Sequence, residues 1–406
     1  MKKVGILVFS DKIQERGTRK NTFFDAFEYL GLRHIISEID RKKYTIDFCS
    51  EKTLNDFDFV LCSITSLYDI YNLCSCPGVL KRKSTLIIGG QGVSNVRAYK
   101  EYFDIAVFGR AEGQINDILA GESLPNVLRM KDDPNIERQY EYRQAKYLVN
   151  GENNVGCPNK CRFCFYSWTH HQFRPSSSYE SAIGIAGQED DIRNIKIGDG
   201  RHYVTAIDGV SEESRKRVAK PIKNQEIKDK IAEIYEKDMK KRVSLKIFVI
   251  CGYPWESVDS HYLDELRQVF AESDKPTSGF PIFVHLLFTP FSPEPLTPME
   301  IDQPNFDIDW RRFLLTGQLY DSATLKVFIM PYILSPYRLF ERVYLNRATE
   351  SESGLMKVLT NSKFRKQKSW QKMRWLSEHG YKKTFAERIL RPWSYLFVPK
   401  SGGASG

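Results

Sequence analysis

Three cysteines stand close together at Cys157, Cys161 and Cys164, spaced C-x3-C-x2-C. Thiolates are soft ligands, and three of them on one short loop can hold three irons of a 4Fe–4S cluster, with the fourth iron open to a ligand from outside the protein. A zinc ion asks for a fourth Cys or His, and His170 and His171 follow closely enough to keep that alternative open. His170, His171 and Arg174 also make a candidate substrate mouth beside Tyr166 and Trp168. An imidazole there could move a proton, and two adjacent histidines in a polar loop are equally read as exposed. The other cysteines, Cys49, Cys62, Cys74, Cys76 and Cys251, sit in apolar runs or an ordinary turn and read as core residues.

Something must hold that loop in place. The first 120 or so residues show short apolar runs at Val4–Phe9, Tyr44–Cys49, Phe57–Ile64, Thr85–Ile88 and Ile105–Phe108, with a helix candidate over Asn21–Leu30. Near-continuous apolar strands separated by helical stretches predict a doubly wound parallel sheet. Ligands of such sheets lie at the carboxyl ends of the strands. Here those ends carry the glycines of Gly89-Gly90 and Gly109–Gly113, which read as tight turns or as close approach to a ligand. Residues 126–145 read as a linker. A second mixed block over 146–305 holds a helix near Glu226–Lys241, strands at Leu245–Ile250 and Ile282–Phe288, and the proline-rich Thr289–Pro295, which cannot be regular structure. Residues 306–400 read as a helical, basic region and 401–406 as a flexible tail. The domain reading is therefore 1–125, 146–305 and 306–400.

Composition sets further bounds. Of 406 residues, 41% are hydrophobic and 27% charged, which suits a globular chain. No window of 18 apolar residues exists, so a membrane-spanning helix is not expected. Met1-Lys2-Lys3 runs into a short strand that charge soon interrupts, so a signal peptide is not expected and a cytoplasmic location is. There thiols stay reduced, and a cysteine cluster points to metal or catalysis. The net charge of +9 is uneven: residues 357–400 carry twelve Lys and Arg against two Glu, which leaves the rest of the chain nearly neutral.

The triplet, with Phe163 before its last cysteine, resembles the radical S-adenosylmethionine superfamily. The resemblance implies a partial (β/α) barrel, a 4Fe–4S cluster on Cys157, Cys161 and Cys164, and S-adenosylmethionine on the open iron. The family cleaves that cofactor with one electron to a 5′-deoxyadenosyl radical that abstracts hydrogen. An external donor such as a flavodoxin or ferredoxin is implied as partner. Ile250–Glu256 resembles the family's G-x-P-x-E pattern, which implies that Phe163, Gly252 and Glu256 lie on the adenine side. Ala206–Arg215 is similar to the middle-strand pattern and implies Asp208, Ser211 and Arg215 at the ribose and methionine end. Their other reading is a capped helix start. No Gly-Gly-Glu signature is evident, and Asp199 in Ile197–Gly200 is its nearest stand-in for the amine. Only about 40 residues lie between Cys164 and the Ala206 strand, short for two βα units, which implies a shortened or rearranged barrel.

Beside that core, residues 1–125 resemble the cobalamin-binding domain that precedes many such enzymes. The cobalt-ligating Asp-x-His-x-x-Gly motif is absent, and Ser10–Gly17 after the first strand holds no histidine. Cobalamin bound without a protein lower ligand, a vestigial scaffold and a substrate-binding module all stay open.

The basic segment interleaves Arg365, Lys366, Lys368, Lys372 and Arg374 with Trp370 and Trp375. Cations neutralise phosphates and flat rings stack on exposed bases. An enzyme acting on a base within a duplex must extrude it. The lead expectation is a radical enzyme that rearranges, or transfers a group to, a substituent of a nucleic-acid base, DNA more than RNA. Radical isomerases of thymidine hypermodification are a family-level analogy. Two alternatives stand beside it: a cobalamin-dependent methylase or cyclase of a peptide or small molecule, and a non-enzymatic nucleic-acid-binding protein with a structural metal cluster.

Overall fold

The computed structural model describes residues 1–9, 30–64, 67–90, 92–109, 111, 113–130, 154–155, 157, 159–169, 174–175, 191–198, 202–237, 242–276, 279–308, 317–331 and 335–387. The fold is α/β, with two sheets in which parallel pairing dominates.

The first sheet contains β1 (Lys2–Val8), β2 (Tyr44–Phe48), β3 (Phe59–Ser63), β4 (Thr85–Gly89), β5 (Ile105–Val107) and β6 (Val127–Arg129), in the order β2-β1-β3-β4-β5-β6. The first five run parallel, and β6 returns antiparallel on β5. The anticipated apolar runs thus form the strands. The strand at 127–129 belongs to this sheet, so the start of the anticipated linker is regular structure. The helix expected over Asn21–Leu30 falls almost wholly outside the described residues. α1 (Leu30–Glu38), α2 (Leu67–Cys74) and α3 (Ile115–Ala120) accompany the sheet. At the carboxyl edge, Gly90 has φ of 111°, and a Cβ there would lie 2.6 Å from the Ile64 carbonyl, so only glycine fits the crossing.

The second sheet contains β9 (His202–Ala206), β10 (Val243–Cys251), β11 (Ile282–Pro290), β12 (Gln318–Asp321) and β13 (Leu325–Pro331), in the order β12-β13-β11-β10-β9. All pairs are parallel except β12 on β13. β7 (Asn154–Val155) and β8 (Arg174–Pro175) form a separate two-residue ladder around the cysteine loop. α4 (Phe165–Thr169) follows the last cysteine, and α5 (Glu212–Arg217), α6 (Asn224–Lys237) and α7 (Asp264–Ser273) cross between the parallel strands. Ile227, Ile231 and Ile234 recur at helical spacing and bury α6 against one face. Burial along β10 alternates, Val243, Leu245, Ile247 and Val249 inside and Phe248 and Ile250 only half-buried. One face is therefore sealed by helices and the other is left for a cleft.

Strands β12 and β13 lie where sequence reasoning placed the start of a helical region. Helices follow them: α8 (Pro336–Arg347), α9 (Ser353–Thr360), α10 (Ser369–Glu378) and α11 (Tyr381–Glu387). Their apolar side chains do not form a core of their own. Phe340, Tyr344, Leu355, Met356, Leu376 and Phe385 join Leu7, Val60, Cys62 and Leu86 of the first sheet, and Tyr99 of the turn after β4, in one buried cluster. Polar bonds fasten the same contact. Asn95 donates to the carbonyls of Leu345 and Ala348 at 3.1 and 2.8 Å, and the Tyr71 hydroxyl donates to the Glu341 carbonyl at 3.3 Å. Among the described residues no helix is long and apolar enough to cross a membrane.

Helix α8 is buried on almost every side. Its Arg347, fully buried, donates to the carbonyls of Glu300, Asp302 and Phe385 at 2.9, 2.7 and 3.2 Å. Arg347→Ala leaves those carbonyls without their donor and opens a cavity. The expected destabilisation is roughly 3 kcal/mol or more, read as a lower urea midpoint, and a midpoint within error of wild type contradicts this account.

Candidate functional site

The cysteine loop is held by its own backbone and by neighbours on three sides. The Cys164 N–H donates to the Cys161 carbonyl at 3.1 Å, and the Ser167 N–H to the Cys164 carbonyl at 3.1 Å, which starts α4. The Arg162 N–H reaches the Val218 carbonyl at 2.9 Å, and the Trp168 indole N–H the Cys161 carbonyl at 3.0 Å. The Phe165 N–H donates to Glu294 Oε2 at 3.2 Å, across from the end of β11. Cys161 is buried, Cys157 and Cys164 are half-buried, and all eight cysteines of the chain are free.

The sulfurs influence one another. Burial pushes the Cys161 thiol up to about 12; Lys220 pulls it down, while Asp208, Cys164 and Cys157 push it further up. Burial also raises Cys164, against the hydroxyl and backbone of Ser167. Thiols in this setting are protonated, so ligation must expel protons. Among the described residues no three His, Cys, Asp or Glu side chains converge tightly enough for a single metal ion. A cluster asks for something else, one thiolate for each of three different irons. Three free thiols on one pinned loop fit that donor set. His170 and His171 lie outside the described residues. Arg174 pairs with Val155 in the β7–β8 ladder.

A cleft of about 250 Å³ opens beside the loop at the carboxyl ends of β9, β10 and β11. Phe163 and Cys164 line one side, and Asp208, Ile250, Thr289 and Ser292 another. This is where an open parallel sheet binds ligands. Ser292 Oγ is buried and has no hydrogen-bond partner among the described residues, so it has both a donor and an acceptor to offer a ligand. Glu294 splits its carboxylate between the Phe165 N–H and Arg342 of α8, which it meets at 2.7 Å. Sequence reasoning did not single out Ser292, Glu294 or Arg342. Glu294 stood inside the quoted proline-rich stretch, but nothing local marks Arg342, about 180 residues beyond the cysteines.

The residues implied by family resemblance gather near the loop, yet several are occupied by the protein itself. Phe163 lines the cleft and tilts toward Tyr253, which stacks on Trp255 at 5.0 Å. Gly252 has φ of 72° and donates its N–H to Glu256 Oε2 at 2.8 Å. Glu256 also accepts from the Tyr253 N–H, the Tyr262 hydroxyl and Ser214 Oγ, so its carboxylate holds the turn after β10. Ser211 caps α5 by accepting from the Ser214 N–H at 3.1 Å. Arg215 is fully buried and donates to the carbonyls of Ile222, Gly209 and Val210 and to the Asn224 side chain. These bonds give Ser211, Arg215 and Glu256 structural work of their own. Asp208 does line the cleft, and it pairs with Lys220 at 2.5 Å. Asp199 lies outside the described residues.

The basic segment divides by helix phase. Arg365, Lys366, Lys368 and Trp370 are exposed, Trp370 by 61%, and Arg374 is exposed but paired with Glu378 at 2.8 Å. Lys372 and Trp375 correct the expectation. Lys372 is buried, with its ammonium 4.4 Å from the Tyr337 ring centre, and burial lowers its pKa. Trp375 stacks on His379 at 4.0 Å and meets Phe364 edge-on at 5.4 Å. Both lie on the inward side of α10, on which Leu376 is fully buried.

No family model matches the chain, and no curated protein matches it. Among solved structures it is similar to the cobalamin-dependent S-adenosylmethionine radical enzyme OxsB with aqua-cobalamin bound, with a TM-score of 0.31 and 12% identity over 90% of this chain and 56% of that one. The same enzyme with aqua-cobalamin and S-adenosylmethionine bound gives 0.31 and 11% over 98% and 65%. The chain thus spans less than two thirds of the length of that enzyme.

Proposed function

We propose that this chain is a radical S-adenosylmethionine enzyme whose substrate is a base of a nucleic acid. The observation that carries the reading is the pinned loop of three free thiols, Cys157, Cys161 and Cys164, opening on a cleft at the carboxyl ends of parallel strands. Cys157, Cys161 and Cys164 would hold a 4Fe–4S cluster, which would supply one electron for cleavage of S-adenosylmethionine to methionine and a 5′-deoxyadenosyl radical able to abstract hydrogen. The protein's share is position and dryness. Phe163 and Ile250 offer apolar walls to a flat ring. Ser292 Oγ offers a donor and an acceptor. Glu294 ties the cysteine loop to Arg342 and so fixes one wall of the cleft. Asp208 and Lys220 set a charged patch beside Cys161. An external one-electron donor such as a flavodoxin or ferredoxin completes the system.

The nucleic-acid part is supported by the exposed band Arg365, Lys366, Lys368 and Trp370. Hydrogen abstraction from a base substituent, followed by rearrangement or group transfer, is the reaction this combination suits. A cobalamin-dependent variant has one observation in its favour. The parallel strands of the first sheet run in the order β2-β1-β3-β4-β5, a doubly wound arrangement that takes ligands at its switch point. Cobalt in the purified protein supports that variant.

Two outcomes test the proposal. Anaerobically reconstituted protein is expected to release 5′-deoxyadenosine from S-adenosylmethionine, and Cys161→Ala to fall to background; full turnover in that variant overturns the reading. Binding to DNA and RNA is expected to weaken steeply with salt. Arg365→Ala, Lys366→Ala and Lys368→Ala together should lower the slope of log K against log salt by about 3. Trp370→Ala should cost roughly tenfold in affinity and leave the slope unchanged, as lost stacking does. Weak binding indifferent to all four substitutions moves the substrate to a peptide or small molecule.

A further inference from the structure

A lysine is buried beneath the cysteine loop. Lys220 is 3% exposed and pairs with Asp208, whose side chain is 14% exposed. Burying an ammonium costs several kcal/mol unless a partner offsets it. The backbone around the pair is also forced. Asp208 has φ of 51° and Ala219, beside Lys220, φ of 59°, two of the three non-glycine residues with positive φ among the described residues. Such conformations cost energy and persist where the surroundings impose them. The turn that carries Lys220 is fastened to the cysteine loop by the Arg162 N–H on the Val218 carbonyl at 2.9 Å, and Arg162 also donates a guanidinium N–H to the Arg217 carbonyl at 3.3 Å. The Lys220 N–H is fixed in turn on the Arg215 carbonyl at 2.9 Å.

We infer that Lys220, aimed by Asp208, is a positioning residue that holds a fixed positive charge against Cys161, and that a cluster on the loop is therefore easier to reduce. This rests on the proposed cluster. The physical basis is that reduction adds one negative charge to the site. A nearby cation in a low-dielectric setting stabilises that charge far more than it would in water. Hydrogen bonding, net charge and burial are the protein's means of setting such potentials. Lys220 and Asp208 oppose each other, and Lys220 has the larger influence on Cys161. Burial alone would lower the pKa of Lys220, but the Asp208 carboxylate overcomes this and holds it above its ordinary value. Arg193, which also interacts with Cys161, is committed to Asp191 at 2.6 Å. No electron source is implied beyond an external one-electron reductant.

The test is an anaerobic redox titration with dithionite, followed by electron paramagnetic resonance, with iron and sulfide counted in every sample. K220M removes the charge and is expected to hold as much iron as wild type. At a fixed potential it should show about tenfold less reduced cluster relative to oxidised, which for one electron is a midpoint about 59 mV more negative. K220R keeps the charge and should restore most of the shift. If K220M does not fold, D208N/K220M removes both charges together and leaves neither unpaired; its midpoint should still lie on the negative side of wild type. Intact clusters whose midpoints ignore these substitutions overturn the inference and leave the proposed function standing. A wild-type protein that takes up no iron and sulfide overturns both.

Discussion

A parallel sheet must bury both faces, and in the first sheet the chain meets that requirement partly from far away in sequence. One face is covered by local helices, with Leu32 of α1 and Ile115, Ile118 and Leu119 of α3. The other is covered by α2 and the Arg97–Tyr102 turn, and α8 to α11, more than 200 residues later, join the same buried cluster. Helix α8 consequently sits between the two sheets. Phe340 and Tyr344 face the first core, Asn346 donates to the Pro293 carbonyl at 3.0 Å, and Arg342 reaches Glu294 at the cleft. The candidate site thus takes Arg342 from the same helix that joins the core of the first sheet.

The second constraint is charge. Around the cysteine loop the chain buries Arg215, Lys220 and Asp191, each a costly group. Each is offset differently. Arg215 is satisfied by carbonyls and Asn224, Asp191 by Arg193, and Lys220 by Asp208. The first two arrangements close turns. The third lies between the turn and the loop, and there the backbone at Asp208 and Ala219 is left-handed without glycine. A hydrophobic residue at position 220 would avoid the desolvation cost, so the charge itself is what that position supplies.

The five parallel strands of the first sheet were legible because each is an apolar run bounded by polar turns, a purely local signal, whereas β6 is only three residues long. The cysteine triplet was legible for the same reason. The hydrogen-bond partners of Ser211, Arg215 and Glu256 were not, because motif spacing locates a residue but cannot say which neighbour takes its hydrogen bonds. Ser211 had a capping reading beside the ligand reading, and the cap forms. Lys372 and Trp375 were grouped with Lys368 and Trp370 on composition. Only the phase of α10 separates them: Lys372 and Leu376, four residues apart, share the buried side, and Trp370 and Arg374, also four apart, share the exposed one. Strands β12 and β13 were overlooked because Gln318–Asp321 is short and polar and gains its partner only from β13.

That separation bears on how a large substrate would meet the cleft. The outward side of α10 carries the exposed Trp370, and its inward side is fastened to α8, through Lys372 on the Tyr337 ring and through Ser335 Oγ donating to Ser369 Oγ at 3.0 Å. Tyr337 and Arg342 lie on the same helix, about 7.5 Å apart along its axis at 1.5 Å per residue. Under the proposed function, the surface that would grip a phosphate backbone and the side chain at the cleft are thus carried by one packed pair of helices. Their geometry does not depend on a flexible connection. A base brought to Arg342 would be delivered by a rigid offset, and the reach of the enzyme from backbone to base would be set by the packing of α8 against α10.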